Sequence, residues 1–554
     1  MLRSSALGRP VPVLTAVALP RARVTEGAVV FAVALAGYLV AASVLVFVAE
    51  TMTGDAWSRV GNALYVIGSR DPHLAAIGFV WPPLPSILVM PLLLVRDAWP
   101  ALVSEGFAAN LVSAVAMAGA VYQLRGTLMD WAVPGPSRIG LTALFALHPL
   151  IIETAANGET EAVFVLLLIM ATRSFAAWLR FADASALVFA GVLIALIYLT
   201  RYEGLAVAAG AVLLTAGVTY QRTPGDRRAR VVGASADALI VGTPFIAAFA
   251  AWAVVSWIIV GNPFETFASI YGSSSQLQLG AEITRERSGQ GSAGAVSHAA
   301  RQVLGLAPAL IVLVPIGIAV SLARRDRRSL AVLGLLGATV CFSLWTFFTG
   351  RSFGWLRFYV IAIPMAILLS GLIIASVARM RQRFLASVLR IAMVAIVAVG
   401  LPAAAVTVTD PLLAPEEANR VASIVTGTPI ESTPGTARYR TGGEIARYLD
   451  ALALPDGSVL VDTWLGFPTV LRSSRPLQFV ITSDRDFSAA VTDPSTFGVT
   501  YLLVPEPAYL GSVDALNRTY PELYSRGAGI GTLQREFRAS TSWRLYKVAG
   551  GTGQ

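Results

Sequence analysis

The 554-residue chain has a single cysteine, a single lysine and only three histidines. Cys341 stands alone in an apolar run, so no intrachain disulfide exists whatever the compartment. There is no clustered His/Cys set of metal-binding spacing and no Gly-rich phosphate loop of the P-loop kind, so neither a metal cluster nor a soluble nucleotide site is indicated. Charge is scarce: 14% of residues against roughly 25% in a soluble domain. The net charge of +9 does not point to nucleic acid, because the arginines fall in short clusters between apolar runs. No internal repeat is evident, and the one biased stretch is Ser/Gly/Gln-rich, from Ser273 to Gly294, which reads as mobile.

Apolar runs fill the space that charge leaves. Hydrophobic residues make up 55% of the chain and mean hydropathy is +0.67, the values of a polytopic membrane protein. A bilayer needs about 20 apolar residues per helix. After a basic lead over residues 1–26, the run Gly27–Glu50 meets that length and exceeds the core of about 7–15 residues in a cleaved signal peptide. Ten further spans follow. They run over about Glu105–Leu124, Arg138–Glu153, Glu161–Leu179, Ala184–Thr200 and Glu203–Tyr220, then Ala236–Val260, Val303–Ala323, Ser329–Gly350, Leu356–Val377 and Leu385–Val408. Between the first two spans lies a loop, residues 51–104. Its first half mixes Trp57, Arg59, Tyr65 and Arg70 with small apolar residues, as in a helix lying in the membrane interface. Its second half opens on Trp81-Pro82-Pro83-Leu84-Pro85, and three prolines before a short apolar run argue for a segment that does not cross.

Charge parity tests that reading. With the Pro-rich run not crossing, Arg125 and Arg138, Arg173 and Arg180, Arg222–Arg230, Arg324–Arg328 and Arg379–Arg390 all fall on the cytoplasmic side with the N-terminus. If it crossed, every one of them would face outward. The expected architecture is thus about 11 transmembrane helices in a module over residues 27–408, in the cell membrane, with loop 51–104 outside. Beyond Val408 apolar runs shorten to about five residues, at Ser458–Asp462, Phe479–Ser483 and Thr500–Val504, separated by helical or turn-rich stretches. Residues 409–554 read as an extracytoplasmic α/β domain, with Arg535–Val548 supplying a last, edge-type strand.

The same parity collects Asp55, Glu153, Glu159 and Glu161 on the outer face, with Arg201-Tyr202-Glu203, the loop Gly261–Arg301 and the segment Arg351–Arg357. A carboxylate at membrane depth is costly, because desolvation disfavours its charged form, so Asp55 invites a functional reading and a partner; the pair Glu159 and Glu161 is that partner. Glu161 could equally be a helix N-terminal acid favoured by the macrodipole. Arg201 could simply pair with Glu203. His148, just before Pro149, reads as a satisfied polar group, His73 as a turn residue able to orient acceptor or phosphate, and Asp462 as a turn residue.

Gly54-Asp55 after the first span, Trp81-Pro82-Pro83-Leu84, Gly158-Glu159-Thr160-Glu161, Leu199–Gly204, Gly261-Asn262-Pro263-Phe264 and Arg357-Phe358-Tyr359 occur in an order that resembles the GT-C fold glycosyltransferases. The branch is that of protein O-mannosyltransferases and lipid A aminoarabinose transferases. The resemblance spans about Gly27–Val408. That family usually carries two acids in this first loop, often adjacent, whereas Ala56 follows Asp55 here. The resemblance implies inverting transfer of a sugar from a polyprenyl-phosphate donor to a glycan, lipid or protein hydroxyl, with no cofactor beyond the lipid-linked donor, although it is compatible with a divalent metal. Asp55 and Glu161 are then the catalytic candidates, since an acceptor hydroxyl needs a base within reach. Glu159, Arg201, Tyr202, Arg357, Tyr359 and His73 are the substrate-binding candidates, the arginines offering a planar fork to the leaving phosphate. Two other classes compete: a transporter or flippase, which would place its charges near the midplane in repeated halves, and a non-catalytic envelope assembly protein.

Overall fold

The computed structural model describes residues 21–272, 274–278, 291–426, 437–538 and 541–549. The basic lead up to residue 20 and most of the Ser/Gly-rich stretch expected to be mobile, residues 279–290, lie outside the described residues. The first part of the chain is a bundle of long apolar helices. Among the described residues eight are long and apolar enough to cross a membrane: Thr25–Val48, Phe107–Asp130, Glu161–Phe181, Gly204–Arg222, Arg227–Val260, Arg328–Phe348, Leu356–Val377 and Arg383–Val408. Two further candidates are bent helix pairs, Gly135–Ala146 with Pro149–Ala156 at 57° and Ala293–Leu306 with Leu310–Arg324 at 76°, which bring the total to ten if each pair is one span. Each break has a local cause. Pro149 and Pro308 cannot donate to the preceding turn, and the residue before a proline is pushed to extended backbone, as His148 is at φ −65°, ψ 130°. The remaining predicted span is a 15-residue helix, Ala184–Tyr198. At about 1.5 Å per residue it reaches roughly 22 Å, short of a hydrocarbon core of about 30 Å.

The Pro-rich segment forms a helix of 10 residues, Leu84–Leu93. That is about 15 Å long, half the apolar thickness, and too short to span as one straight helix. Before it runs the 15-residue helix Gly54–Gly68, whose buried face carries Trp57, Val60, Ala63, Leu64 and Tyr65. This helix was expected to rest in the membrane interface; instead the C-terminal domain covers its apolar face. Trp57 packs edge-on against Tyr439 at 5.5 Å and Phe467 at 5.6 Å, with its indole N–H donating to the Val103 carbonyl at 2.7 Å. One hydrophobic core therefore runs from the first loop into the C-terminal sheet, joining Leu64, Leu93 and Phe107 to Ile445, Val461, Phe479 and Leu545.

The C-terminal domain holds a five-stranded sheet in the order β2-β1-β3-β5-β4. The strands are β1 Val459–Val461, β2 Phe479–Ile481, β3 Tyr501–Pro505, β4 Gly531–Phe537 and β5 Trp543–Val548. β1 pairs parallel with both β2 and β3, while β5 runs antiparallel between β3 and β4. The expected last strand, Arg535–Val548, is in fact the end of β4 plus all of β5, and the edge position belongs to β4 rather than to β5. Salt bridges tie this domain to the first loop. Arg70 pairs with Asp484 at 3.1 Å and with Asp486, and Asp71 pairs in return with Arg485.

Candidate functional site

The site is built where the first helix of the 51–104 loop meets the turn between two spans. Thr53, which precedes Gly54–Gly68, donates its hydroxyl to the Asn157 carbonyl at 2.9 Å. The amide oxygen of Asn157 accepts the Glu159 N–H at 2.9 Å, and Ser113 donates to the Glu159 carbonyl at 3.0 Å. Gly158 sits between them at φ +79°, and a Cβ there would meet Ala56, Ala109 and the Asn110 amide within 3.2 Å. Only glycine combines that backbone with so close an approach. The result is a rigid turn that presents Glu159 and Glu161 on either side of Thr160 and sets them beside Asp55.

Arg357 gathers these acids. Its guanidinium bonds Glu159, contacts Asp55 at 3.1 Å, Glu416 at 2.8 Å and Glu161 at 3.5 Å, and lies 4.1 Å from the Trp355 ring centroid. The Arg357 side chain is 4% exposed and that of Glu159 is 4% exposed, whereas Asp55 is 49% exposed. A buried ion pair persists only where geometry and further hydrogen bonds offset desolvation, and four carboxylates around one planar fork supply both. Behind it Arg201 bonds Glu161 at 2.6 Å, Glu203 at 2.7 Å and the Thr160 hydroxyl at 3.0 Å, with its guanidinium over Phe358 and Phe164. A cavity of about 940 Å³ opens in front of this cluster, between the 51–104 loop and the C-terminal domain.

Of the sequence candidates, Asp55, Glu159, Arg357 and His73 line the cavity. His73 is oriented by a 2.7 Å contact of its Nδ1 with the Asp71 carbonyl. Glu161 and Arg201 sit one layer behind, Glu161 being 2% exposed. Tyr202 donates its hydroxyl to the Val80 carbonyl at 3.0 Å and stacks on Trp81, which itself lines the cavity. Tyr359 is 1% exposed in the helix-bundle core and is turned away from the cavity. His148 is buried against the Leu306 carbonyl at 3.1 Å, in keeping with a satisfied polar group. Among the described residues no group of three or more His, Cys, Asp or Glu side chains converges as a metal site; the acids here converge on arginine.

Sequence reasoning missed the parts played by five residues, Arg59, Glu416, Glu417, Arg420 and Asp462. Arg59 stands one turn after Asp55, with its guanidinium 5.8 Å from the Trp81 ring; its Nε and Nη1 find no hydrogen-bond partner among the described residues, and burial lowers its pKa. Glu416 opens the helix Pro415–Thr426 just beyond the last span and reaches Arg357. On the same helix Arg420 bonds Glu153 at 2.6 Å, and burial pushes the neighbouring Glu417 carboxyl up to about 7. Asp462, read as a turn residue, is fully buried and accepts from the Tyr271 hydroxyl at 2.9 Å, the Thr482 hydroxyl at 3.0 Å, and the Trp464 and Ala515 amides. The available signals were the i,i+4 spacing of Asp55 and Arg59, and an acidic pair opening a helix just beyond the last span.

The chain matches no protein-family model and no curated protein sequence. Among solved structures it is similar to ArnT from Cupriavidus metallidurans bound to undecaprenyl phosphate, at 14% identity and a TM-score of 0.51, over 96% of this chain and 99% of that one. The apo form of the same ArnT gives 14% identity and 0.49, covering 96% and 100%. The oligosaccharyltransferase AglB from Archaeoglobus fulgidus, in complex with an inhibitory peptide and a dolichol-phosphate, gives 12% identity and 0.42, covering 87% and 70%. The chain thus shares the GT-C fold of polytopic membrane proteins across nearly its whole length.

Proposed function

We propose that this chain is a membrane glycosyltransferase that moves a sugar from a polyprenyl-phosphate donor to an acceptor hydroxyl on the extracytoplasmic face, with inversion. The observation that carries the reading is the half-exposed Asp55 carboxylate at the wall of a large cavity, backed by buried arginines. In the proposed step Asp55 takes the proton of the acceptor hydroxyl as its oxygen bonds the anomeric carbon. The bond from that carbon to the phosphate oxygen breaks on the opposite face, and polyprenyl phosphate leaves. Arg357, which lines the cavity, would receive the phosphate charge as it develops, in a site where donors set in advance need no reorganisation, and Arg59, behind the lining with two unpartnered guanidinium nitrogens, would add to its field. Arg201 holds Glu161 and so steadies the second acid. The donor brings its own activated bond, so the proposed step needs no redox or group-carrying cofactor.

The fold shared with ArnT, whose structure holds undecaprenyl phosphate, supports this donor class. So does the apolar bundle flanking the cavity, where Ile259 and Val260 reach its lining. The test is transfer by the purified protein from a panel of polyprenyl-phosphate sugars. Transfer that falls by about 10²- to 10⁴-fold in Asp55→Asn, with donor binding kept, fits loss of a general base. Normal transfer by both Asp55→Asn and Glu161→Gln would sink the reading.

A further inference from the structure

We infer that the C-terminal domain carries a carbohydrate subsite at the carboxyl ends of its parallel strands, and that the acceptor is a neutral glycan. The inference deepens the transferase reading and rests on it for the word acceptor. In an open parallel sheet, ligands bind outside the carboxyl ends of the strands at the point where strand order reverses. Here β1 leads through helix Thr463–Arg472 to β2 on one side, and the chain then returns to β3 on the other. The residues just past these ends line the cavity that holds Asp55: Thr463 and Trp464 after β1, Thr482 and Ser483 after β2, and Tyr509 beyond β3.

Their chemistry is that of a sugar site. Trp464 is braced, its indole N–H donating to the Leu510 carbonyl at 3.2 Å and its ring 5.5 Å from Tyr271. Tyr271 is in turn anchored by its hydroxyl on Asp462 at 2.9 Å. Tyr509 is 51% exposed and held at φ +50°, a left-handed backbone that a bulky residue adopts at a cost and that clusters at functional sites. The Ser483 hydroxyl is buried with no hydrogen-bond partner among the described residues. Rigid aromatic faces beside the unpartnered Ser483 hydroxyl suit the apolar faces and hydroxyls of a pyranose or furanose. Arg485 and Asp71 satisfy each other, and the Asp462 carboxylate is already occupied by two hydroxyl and two amide donors, so neither offers its charge to a ligand, which favours a neutral one. A peptide would instead use the main-chain groups of a sheet edge or a set of apolar pockets, and the cavity meets strand ends, where no ladder is on offer.

The test uses the full chain in lipid nanodiscs, with neutral trisaccharides of glucose, galactose, mannose and arabinose and a Ser/Thr-rich peptide as probes, followed by ligand-observed NMR. Undecaprenyl phosphate binding is measured in parallel. We expect at least one trisaccharide to bind. Trp464→Ala and Tyr509→Ala should each weaken it by about tenfold or more, equivalent to roughly 1.4 kcal/mol. Trp464→Phe, which keeps a ring and guards against misfolding, should lose less, and undecaprenyl phosphate should bind all variants alike. Binding of no trisaccharide, equal affinity in the Ala variants, or binding of the peptide alone overturns the inference. If the trisaccharide binds as expected and undecaprenyl phosphate does not bind at all, the transferase reading falls and the carbohydrate subsite stands.

Discussion

Replacing Arg357 by glutamine should destabilise the protein chiefly through one neighbour. The guanidinium faces four carboxylates, but they are not equal. Asp55 and Glu416 have side chains 49% and 34% exposed, so water takes over when their partner is lost, and each accounts for about 1 kcal/mol or less. Glu159 is 4% exposed and would be left buried and uncompensated, close to the equally buried Glu161. Breaking a buried pair from one side costs about 3–5 kcal/mol. Glu161 keeps Arg201 at 2.6 Å and contributes little to that figure. Arg357→Gln should therefore lose about 3–5 kcal/mol, and adding Glu159→Gln should recover a coupling energy of about 1–3 kcal/mol, because the double variant buries no orphan charge. Adding Glu416→Gln should recover almost nothing. The assay is reversible unfolding in mixed micelles of dodecylmaltoside and SDS, run on wild type, the single variants and the two doubles. Additive effects for the 357/159 pair, or stronger coupling to Glu416 than to Glu159, would refute the assignment of the burden to Glu159.

The remaining predictions concern chemistry, docking and topology. Glu161→Gln should show a smaller, mixed loss of transfer than Asp55→Asn; abolition by Glu161→Gln with near-normal Asp55→Asn would hand the base role to Glu161. Arg357→Lys should weaken donor binding, since an ammonium cannot reproduce two parallel contacts, and unchanged binding would remove Arg357 from the phosphate site. Burial raises the Asp484 carboxyl to about 6, so it binds its proton more tightly when folded, and its contribution is present at low pH and lost as pH rises through that value. Stability should fall by about 2–3 kcal/mol from about pH 4 to above pH 6, and Asp484→Asn should flatten that slope in pH-dependent unfolding. Asp71 runs the other way: its hydrogen bond with Arg485 holds its pKa well below the usual range, so its contribution is present above about pH 4 and lost in stronger acid. A reporter fused after Arg96 should be extracytoplasmic; a cytoplasmic signal would place loop 51–104 on the wrong side and separate it from the proposed acceptor.

Much of the fold was legible because membranes constrain sequence strongly. Apolar length located the spans, and the arginine clusters gave an expected alternation in which the segment forming the ten-residue helix Leu84–Leu93 does not cross. What hydropathy could not show were the bends at Pro149 and Pro308, since a bent pair and a straight helix have the same composition. Nor could it show that the C-terminal domain covers Gly54–Gly68. A half-apolar helix looks the same whether lipid or protein takes its face, and the decision is made by Tyr439 and Phe467, about four hundred residues downstream of Trp57.

The site divides along the same line. Asp55, Glu159 and Arg357 could be named because each is a charge beside a span, where desolvation makes a bare carboxylate or guanidinium expensive enough to need a reason. That argument identifies residues one at a time and cannot pair them. The Arg357 contacts with Asp55 and Glu159 close over sequence separations of 302 and 198 residues, and nothing local announces them. The same limit explains the errors. Tyr359 sits two residues from Arg357, but the short 3-10 turn Leu356–Tyr359 turns the two side chains apart, and proximity in sequence was a poor guide. Glu416 and Asp462 were passed over because they lie outside the bundle, where a carboxylate is ordinarily solvated and needs no explanation. Both are charged groups at the seam between bundle and sheet. Asp462 organises one wall of the cavity and Glu416 grips the arginine of the other, so the seam between the two parts of the chain is itself part of the site.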